Sequence, residues 1–165
     1  MARQTTKLFP LDDLKPFPDN PRQGDIGAIM SSLSEHGQFR PIIVNVHEGG
    51  VYGDQTVLGG NHTLEAARQL GWMKIAGYTI DVDDDRAMRI VIADNRTSDL
   101  ASWDKASLAE ILTGIDAADG LTGTGYDRED LDRLVADISA PLAFTDLNPD
   151  DMETPTECPR CGYEF

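Results

Sequence analysis

From Asp25 to Gly37 the apolar residues Ile26, Ile29, Met30 and Leu33 recur at helical spacing. Asp25 is placed to cap that helix and Gly37 to end it, which predicts a helix reaching about His36. Pro41 to Val46 is a short apolar, β-branched run and reads as a strand. Glu48-Gly49-Gly50 is a turn, and Val51 to Leu58 is expected to return as the second strand of a hairpin. Gly59-Gly60 closes that strand. A helix follows from about His62 to Leu70, with Leu64, Ala67 and Leu70 on one face and Gly71 as its stop.

A strand is predicted near Met73 to Val82, followed by Asp83-Asp84-Asp85 where a helix N-terminus favours negative charge. The helix behind it carries Ala87, Ile90, Val91 and Ala93 and is expected to end near Asn95. Two more helices are signalled, one capped by Asp104 and reaching about Ile115, one capped by Asp127 and reaching about Ile138. Asp127 and Asp130 stand at capping-box spacing, with Asp in place of the longer Glu. Ahead of all this, Leu8 to Gln23 holds Pro10, Pro16, Pro18 and Pro21, which predicts an extended lead-in ending in a turn. Beyond Ser139 the chain is Pro- and Asp-rich without a period, and 140–157 is expected to be a flexible tail. No internal repeat is visible.

The 165 residues suffice for one α/β domain with a core and a small appendage. The longest apolar runs are too short for a bilayer, and the N-terminus is not followed by an apolar stretch of signal-peptide length. A cytoplasmic protein with no membrane partner is therefore expected. Two cysteines, Cys158 and Cys161, cannot supply a disulfide framework. The net charge of −15 is unevenly spread: residues 1–96 carry −3 and residues 97–165 carry −12. An anionic ligand should therefore bind the first segment, while the second would repel DNA.

The turn Gly59-Gly60-Asn61-His62-Thr63 is where such a ligand would sit. Paired glycines let backbone approach an anion, and a helix N-terminus points free N–H groups and a positive dipole end at it. Asn61, His62 and Thr63 add side-chain donors. On this reading Gly60→Val abolishes binding while the fold survives. Arg22, pre-ordered by its prolines, is a second anion contact. Asn95-Arg96, at the expected helix end, is either a ligand contact or a cap on the last carbonyls. Asp81, Asp83, Asp84 and Asp85 read better as a solvated helix start than as a metal cluster.

The order of these segments resembles the ParB/sulfiredoxin superfamily, and specifically its ParB-like N-terminal domain. Pro16-Phe17-Pro18-Asp19-Asn20-Pro21-Arg22 is similar to the family's opening "P-x-x-NPR", and Gly37-Gln38-Phe39-Arg40-Pro41-Ile42-Ile43-Val44 to its "G-x-x-Q-P-I-x-V". Gly59 to Ala67 with Leu70-Gly71 stands where ParB proteins have "GERRxRAA…G" and sulfiredoxins "GGCHR". The likeness spans roughly residues 8–100. It implies an α/β (α+β) core with a small mixed sheet, an acidic helical extension over 101–139, and a tail over 140–165. It also implies binding of nucleotide with Mg²⁺, or of nucleic-acid phosphate, by Arg22, Arg40, Gly59, Gly60, Asn61, His62, Thr63, Asn95 and Arg96. Asn61 stands at the sulfiredoxin cysteine, and an amide is no nucleophile. His62 and Thr63 replace two ParB arginines, while Arg40, where ParB usually has Gln, returns one charge. Asp94-Asn95-Arg96 and Leu100 loosely echo the family's "ENxxRxxL".

Ala93 to Arg96, Leu100 to Asp104 and Thr124 to Asp127 look like ParB-like domains of phages and mobile elements, often encoded beside DNA methyltransferases. That likeness implies a DNA-partition or DNA-modification partner. Three function classes stay open: a nucleotide-binding DNA-transaction protein, a ParB-like nuclease using His62 and Asp94, and an acidic interaction module over 104–138. Cys158-Pro159-Arg160-Cys161-Gly162 is separately half of a zinc knuckle. The three histidines lie far upstream, so either two chains share one Zn²⁺ in a homodimer, or a second pair lies beyond the sequence, or the site is vestigial.

Overall fold

The computed structural model describes residues 6–18, 20–139, 158 and 160–163. The Pro-rich lead-in is extended, as its composition requires, and its extension is put to use in a sheet. Strand β1 (Lys7–Pro10) and the two-residue β2 (Lys15–Pro16) flank a single 3-10 turn at Leu11–Asp13. Then follow α1 (Ile26–His36), β3 (Ile42–Asn45), β4 (Thr56–Gly59), α2 (Asn61–Gln69), β5 (Lys74–Ile80) and α3 (Asp84–Asp99). The extension supplies α4 (Lys105–Asp119) and α5 (Arg128–Ser139).

The five strands form one mixed sheet in the order β1-β5-β3-β4-β2. β3 pairs antiparallel with β4 and parallel with β5, so the crossover through α2 returns the chain to the far side of β3. β1 and β2 close the edges, antiparallel to β5 and parallel to β4. Alternation decides the layers. Ile42, Val44 and Val57 join Leu33, Leu64, Ala66 and Ala67 in a core under α1 and α2. Their neighbours Ile43 and Leu58 point the other way, onto Ala87 and Val91 of α3. The sheet is thus covered by helices on both faces. A third cluster joins Leu112 of α4 and Leu131 of α5 through Leu121 of their connection, and Lys105–Asp137 also links the two helices at 3.0 Å.

Side chains cap the helices where the sequence placed them. Asp25, Asp83 and Asp104 each accept the N–H three residues on, at 2.9 Å. Asp127 and Asp130 exchange reciprocal bonds at 2.8 and 3.1 Å, a capping box closed by a shorter acid.

Three expectations need correction. The returning strand starts at Thr56, not Val51. The carboxylate of Asp84 takes the N–H groups of both Val51 and Tyr52 at 2.9 Å, and Tyr52 stacks on Phe17 with centroids 4.5 Å apart. Those contacts hold 46–55 as a loop, with Asp54 and Gln55 at positive φ before β4 begins. Helix α3 runs one turn past Asn95, to Asp99, where Thr97 and Ser98 fit within the helix by donating their hydroxyls to the carbonyls of Ala93 and Asp94. Helix α4 likewise continues to Asp119, with Gly120 following at positive φ. Among the described residues no helix is long and apolar enough to cross a membrane. The stretch 140–157, expected to be flexible, lies outside the described residues.

Candidate functional site

Where β4 meets α2 the chain must turn from sheet to helix directly above β3. Gly60 makes that turn at φ +88°, and a Cβ there would lie 2.7 Å from Ile42 Cγ2. Both the dihedral and the contact exclude a branched residue. The expectation that Gly60→Val would spare the fold is therefore corrected: valine collides with β3 and destabilises the junction itself.

Past Gly60, the first-turn N–H groups of Asn61, His62 and Thr63 have no acceptor within the helix. These three residues line a groove of about 220 Å³ bounded on one side by this turn and on the other by α3. Arg22 and Arg40 reach it from the lead-in and from the start of β3, and Asp94, Asn95 and Ser98 line it from α3. Of the sequence-predicted residues, Arg22, Arg40, Gly59 to Thr63, Asp94 and Asn95 are brought together here. Arg96 is not: on its helix it faces solvent, away from the groove, and since α3 continues past it, it does not follow a helix end. Asn20 and Ser98 also line the groove and went unnoticed in the sequence. Val91, Asn95 and Ser98 repeat at helical spacing, a signal available only once α3 is extended to Asp99.

The side chains at the turn have mostly structural partners. The Asn61 amide accepts from Phe17 N–H at 2.8 Å and donates to Val57 C=O at 3.0 Å. His62 Nε2 lies 3.1 Å from both the Gly24 amide nitrogen and the Arg22 carbonyl, accepting from one or donating to the other according to its tautomer. A base of a nuclease needs that nitrogen unencumbered, so in this arrangement His62 fastens the lead-in to α2 instead. What remains for a ligand is the backbone of the turn, the Thr63 side chain and the two arginines.

The arginines have carboxylate partners of their own. Arg22 Nη1 bonds Asn95 O and Asp99 Oδ1, each at 3.1 Å, so it ties the lead-in to the last turn of α3. Arg40 Nη2 stands 3.7 Å from Asp94 Oδ1, with its side chain 77 % exposed. An exposed pair of this kind is worth about 0–1 kcal/mol, so an anion can take Arg40 from Asp94 at small cost.

Among the described residues no group of three or more His, Cys, Asp or Glu is placed to hold a metal ion. The acidic run before α3 is engaged in structure: Asp83 caps, Asp84 grips the 46–55 loop, and Asp81 Oδ1 meets His47 Nδ1 at 2.7 Å. The hydrogen bond to Asp81 raises the His47 pKa, and the N–H groups of Val51 and Tyr52 lower that of Asp84. Cys158 and Cys161 sit in a tight turn of their own.

No curated protein matches the chain in sequence. Among solved structures, the fold is similar to that of the chromosome-partitioning protein ParB from Caulobacter crescentus complexed with CTP-γ-S. The TM-score is 0.68 at 18 % identity, covering 83 % of this chain and 80 % of that one. A pNOB8-like ParB-N domain has a TM-score of 0.48 at 16 % identity, over 84 % of this chain and 63 % of that one. Sulfiredoxin from Arabidopsis thaliana has a TM-score of 0.42 at 21 % identity, over 53 % of this chain and 97 % of that one. The sequence model of the ParB N-terminal domain matches residues 1–96, and with the mixed α/β fold just described this chain belongs to the ParB N-terminal domain family.

Proposed function

We propose that this chain is a ParB-like protein of DNA partition or DNA modification that binds the phosphates of a nucleotide in the groove between α2 and α3. The observation that carries the reading is the opening of α2 at Gly60, whose first-turn residues Asn61, His62 and Thr63 line a groove flanked by Arg40 and Arg22, where a helix N-terminus favours an anion. Membership in the ParB N-terminal domain family supports it, as does the fold likeness to a ParB complexed with CTP-γ-S, which makes CTP the first nucleotide to test.

The loss of two ParB arginines at His62 and Thr63 leaves Arg40 as the more exposed of the two arginines lining the groove. Among the described residues Asp94 is the one carboxylate lining the groove, so a magnesium ion would be held chiefly by the nucleotide's own phosphates. Direct DNA binding is opposed by the net charge of −15 and by the acidity of residues 97–165. The DNA link is therefore assigned to a partner protein of the partition or modification machinery.

Calorimetric titration with CTP, ATP, GTP and a short duplex, with and without Mg²⁺, tests this. CTP is expected to bind, and Arg40→Glu to weaken it about tenfold or more with little change in melting temperature, since the Arg40 side chain is exposed and its ion pair among the described residues is the loose one with Asp94. Magnesium-dependent phosphodiester cleavage would instead favour the nuclease. Absence of binding to every ligand would favour the acidic α4–α5 unit as an interaction module.

A further inference from the structure

A groove of about 640 Å³ runs along the α4–α5 pair. Its floor is apolar: Trp103 ahead of α4, Leu108 on α4, Tyr126 ahead of α5, and Leu134 and Ala136 on α5. The core beneath it is thin. Leu112, Leu121 and Leu131 are buried, while Leu108, Tyr126 and Leu134 pack against them half-buried, and the Trp103 side chain is left 71 % exposed. On α5, Asp130, Arg133, Leu134 and Asp137 recur at i, i+3, i+4 and i+7, so one stripe of that helix forms a wall of the groove. A groove walled by rows of that period is shaped to receive another helix, whose own side chains form ridges at the same spacing.

Charge decides which helix. Residues 104–139 hold nine acids and three bases, a net −6. All three bases are matched within the pair: Lys105 by Asp137, Arg128 by Asp116 and Asp132, Arg133 by Glu129 and Asp130. The surplus is therefore entirely negative. At the groove itself Asp130 and Asp137 stand in surface ion pairs, which the cations of a partner can share at small cost. An acidic partner would be repelled by the surplus, and a neutral one would gain nothing from it. We propose that this groove receives a basic amphipathic helix of a partner protein, its apolar face on Trp103, Leu108, Tyr126 and Leu134 and its lysines or arginines over the surrounding acids. On the reading that a partner protein carries the DNA link, on which this rests, the α4–α5 groove is where that partner docks. The nucleotide groove takes no part in it.

The probe is a synthetic helix of about five turns made of leucine, lysine and alanine, with its leucines on one face. One control has the same composition in scrambled order, and another has glutamate for every lysine. Each peptide is added to the full chain at physiological salt, with NMR resonances locating the contact and calorimetry giving the affinity. The resonances of Trp103, Leu108 and Leu134 should shift with the amphipathic peptide and stay in place with the glutamate version. The scrambled peptide should bind about tenfold or more weakly, because charge alone does not fill the groove. Trp103→Ala removes the exposed aromatic anchor, and Ala136→Arg puts bulk and a like charge at an exposed position of the groove. Each should cost about tenfold or more in peptide affinity while circular dichroism and CTP titration stay unchanged. Equal affinity for the ordered and scrambled peptides, or shifts that avoid the groove, would overturn the proposal. So would self-association that Ala136→Arg abolishes, which gives the groove to a second copy, or contacts from residues 142–147 to the Trp103 ring, which give it to the chain's own continuation. A chain that binds CTP but not the peptide strikes the docking site alone, and one that binds the peptide at the groove but not CTP upholds it and strikes the nucleotide reading.

Discussion

The side chain of Asn61 accepts a hydrogen bond from the backbone N–H of Phe17 at 2.8 Å, across 44 residues of sequence. Its other end donates to Val57 O. One amide therefore fastens the lead-in to the β4–α2 junction, and with it brings Arg22 to the edge of the groove. Replacing Asn61 with Ala leaves two half-buried backbone groups without partners. The expected loss is about 1–3 kcal/mol of stability, read as a lower urea midpoint at unchanged m-value. Asn61→Asp keeps the acceptor for Phe17 but puts a carboxylate against Val57 O, and should be at least as costly. Stability equal to that of the parent protein in both variants would mean that the junction is held by other contacts.

Ser98 lines the groove from the last turn of α3, facing the first turn of α2. Ser98→Arg adds a positive charge at a helix C-terminus, where the dipole favours it, and aims that charge at the proposed phosphate site. CTP affinity should rise about fivefold, or ~1 kcal/mol, with the gain shrinking as salt is added. An affinity that falls, or a gain indifferent to salt, would place the phosphates elsewhere.

His47 and Asp81 connect the end of β3 to the segment leading into α3, at 2.7 Å. Because Asp81 raises the His47 pKa, the folded protein holds this proton more tightly than the unfolded chain does. The stability it contributes is complete below the ordinary histidine value of about 6.5 and fades as pH climbs through the raised value. Thermal melts of the parent protein and Asp81→Asn should therefore differ most below about pH 6.5 and converge as pH rises past the raised value. A difference that grows with pH would reverse the assignment.

Much of this protein was set by local chemistry that any stretch of chain carries with it. Asp25, Asp83, Asp104 and Asp127 start helices because an acid three residues before a free N–H satisfies it wherever the helix is put. Ile42 to Asn45, within the apolar run 41–46, forms a strand, and the Gly59-Gly60 turn opens a helix, for equally local reasons. The same turn, with the stretches 16–22 and 37–44, was enough to point to the ParB family.

Tertiary structure decided what these elements do to one another. Val51 and Tyr52 have strand-forming side chains, but Asp84 takes their N–H groups from 32 or 33 residues away. Lys15–Pro16 pairs with β4 where Asn61 holds Phe17 and Arg68 holds the carbonyls of Leu11 and Leu14. Asn61 and His62 read as ligand donors in one dimension, and became fasteners once Phe17 and Gly24 came within 2.8 and 3.1 Å. A residue's type fixes how many hydrogen bonds it can make, whereas its partner depends on which distant backbone group folding leaves unpaired beside it.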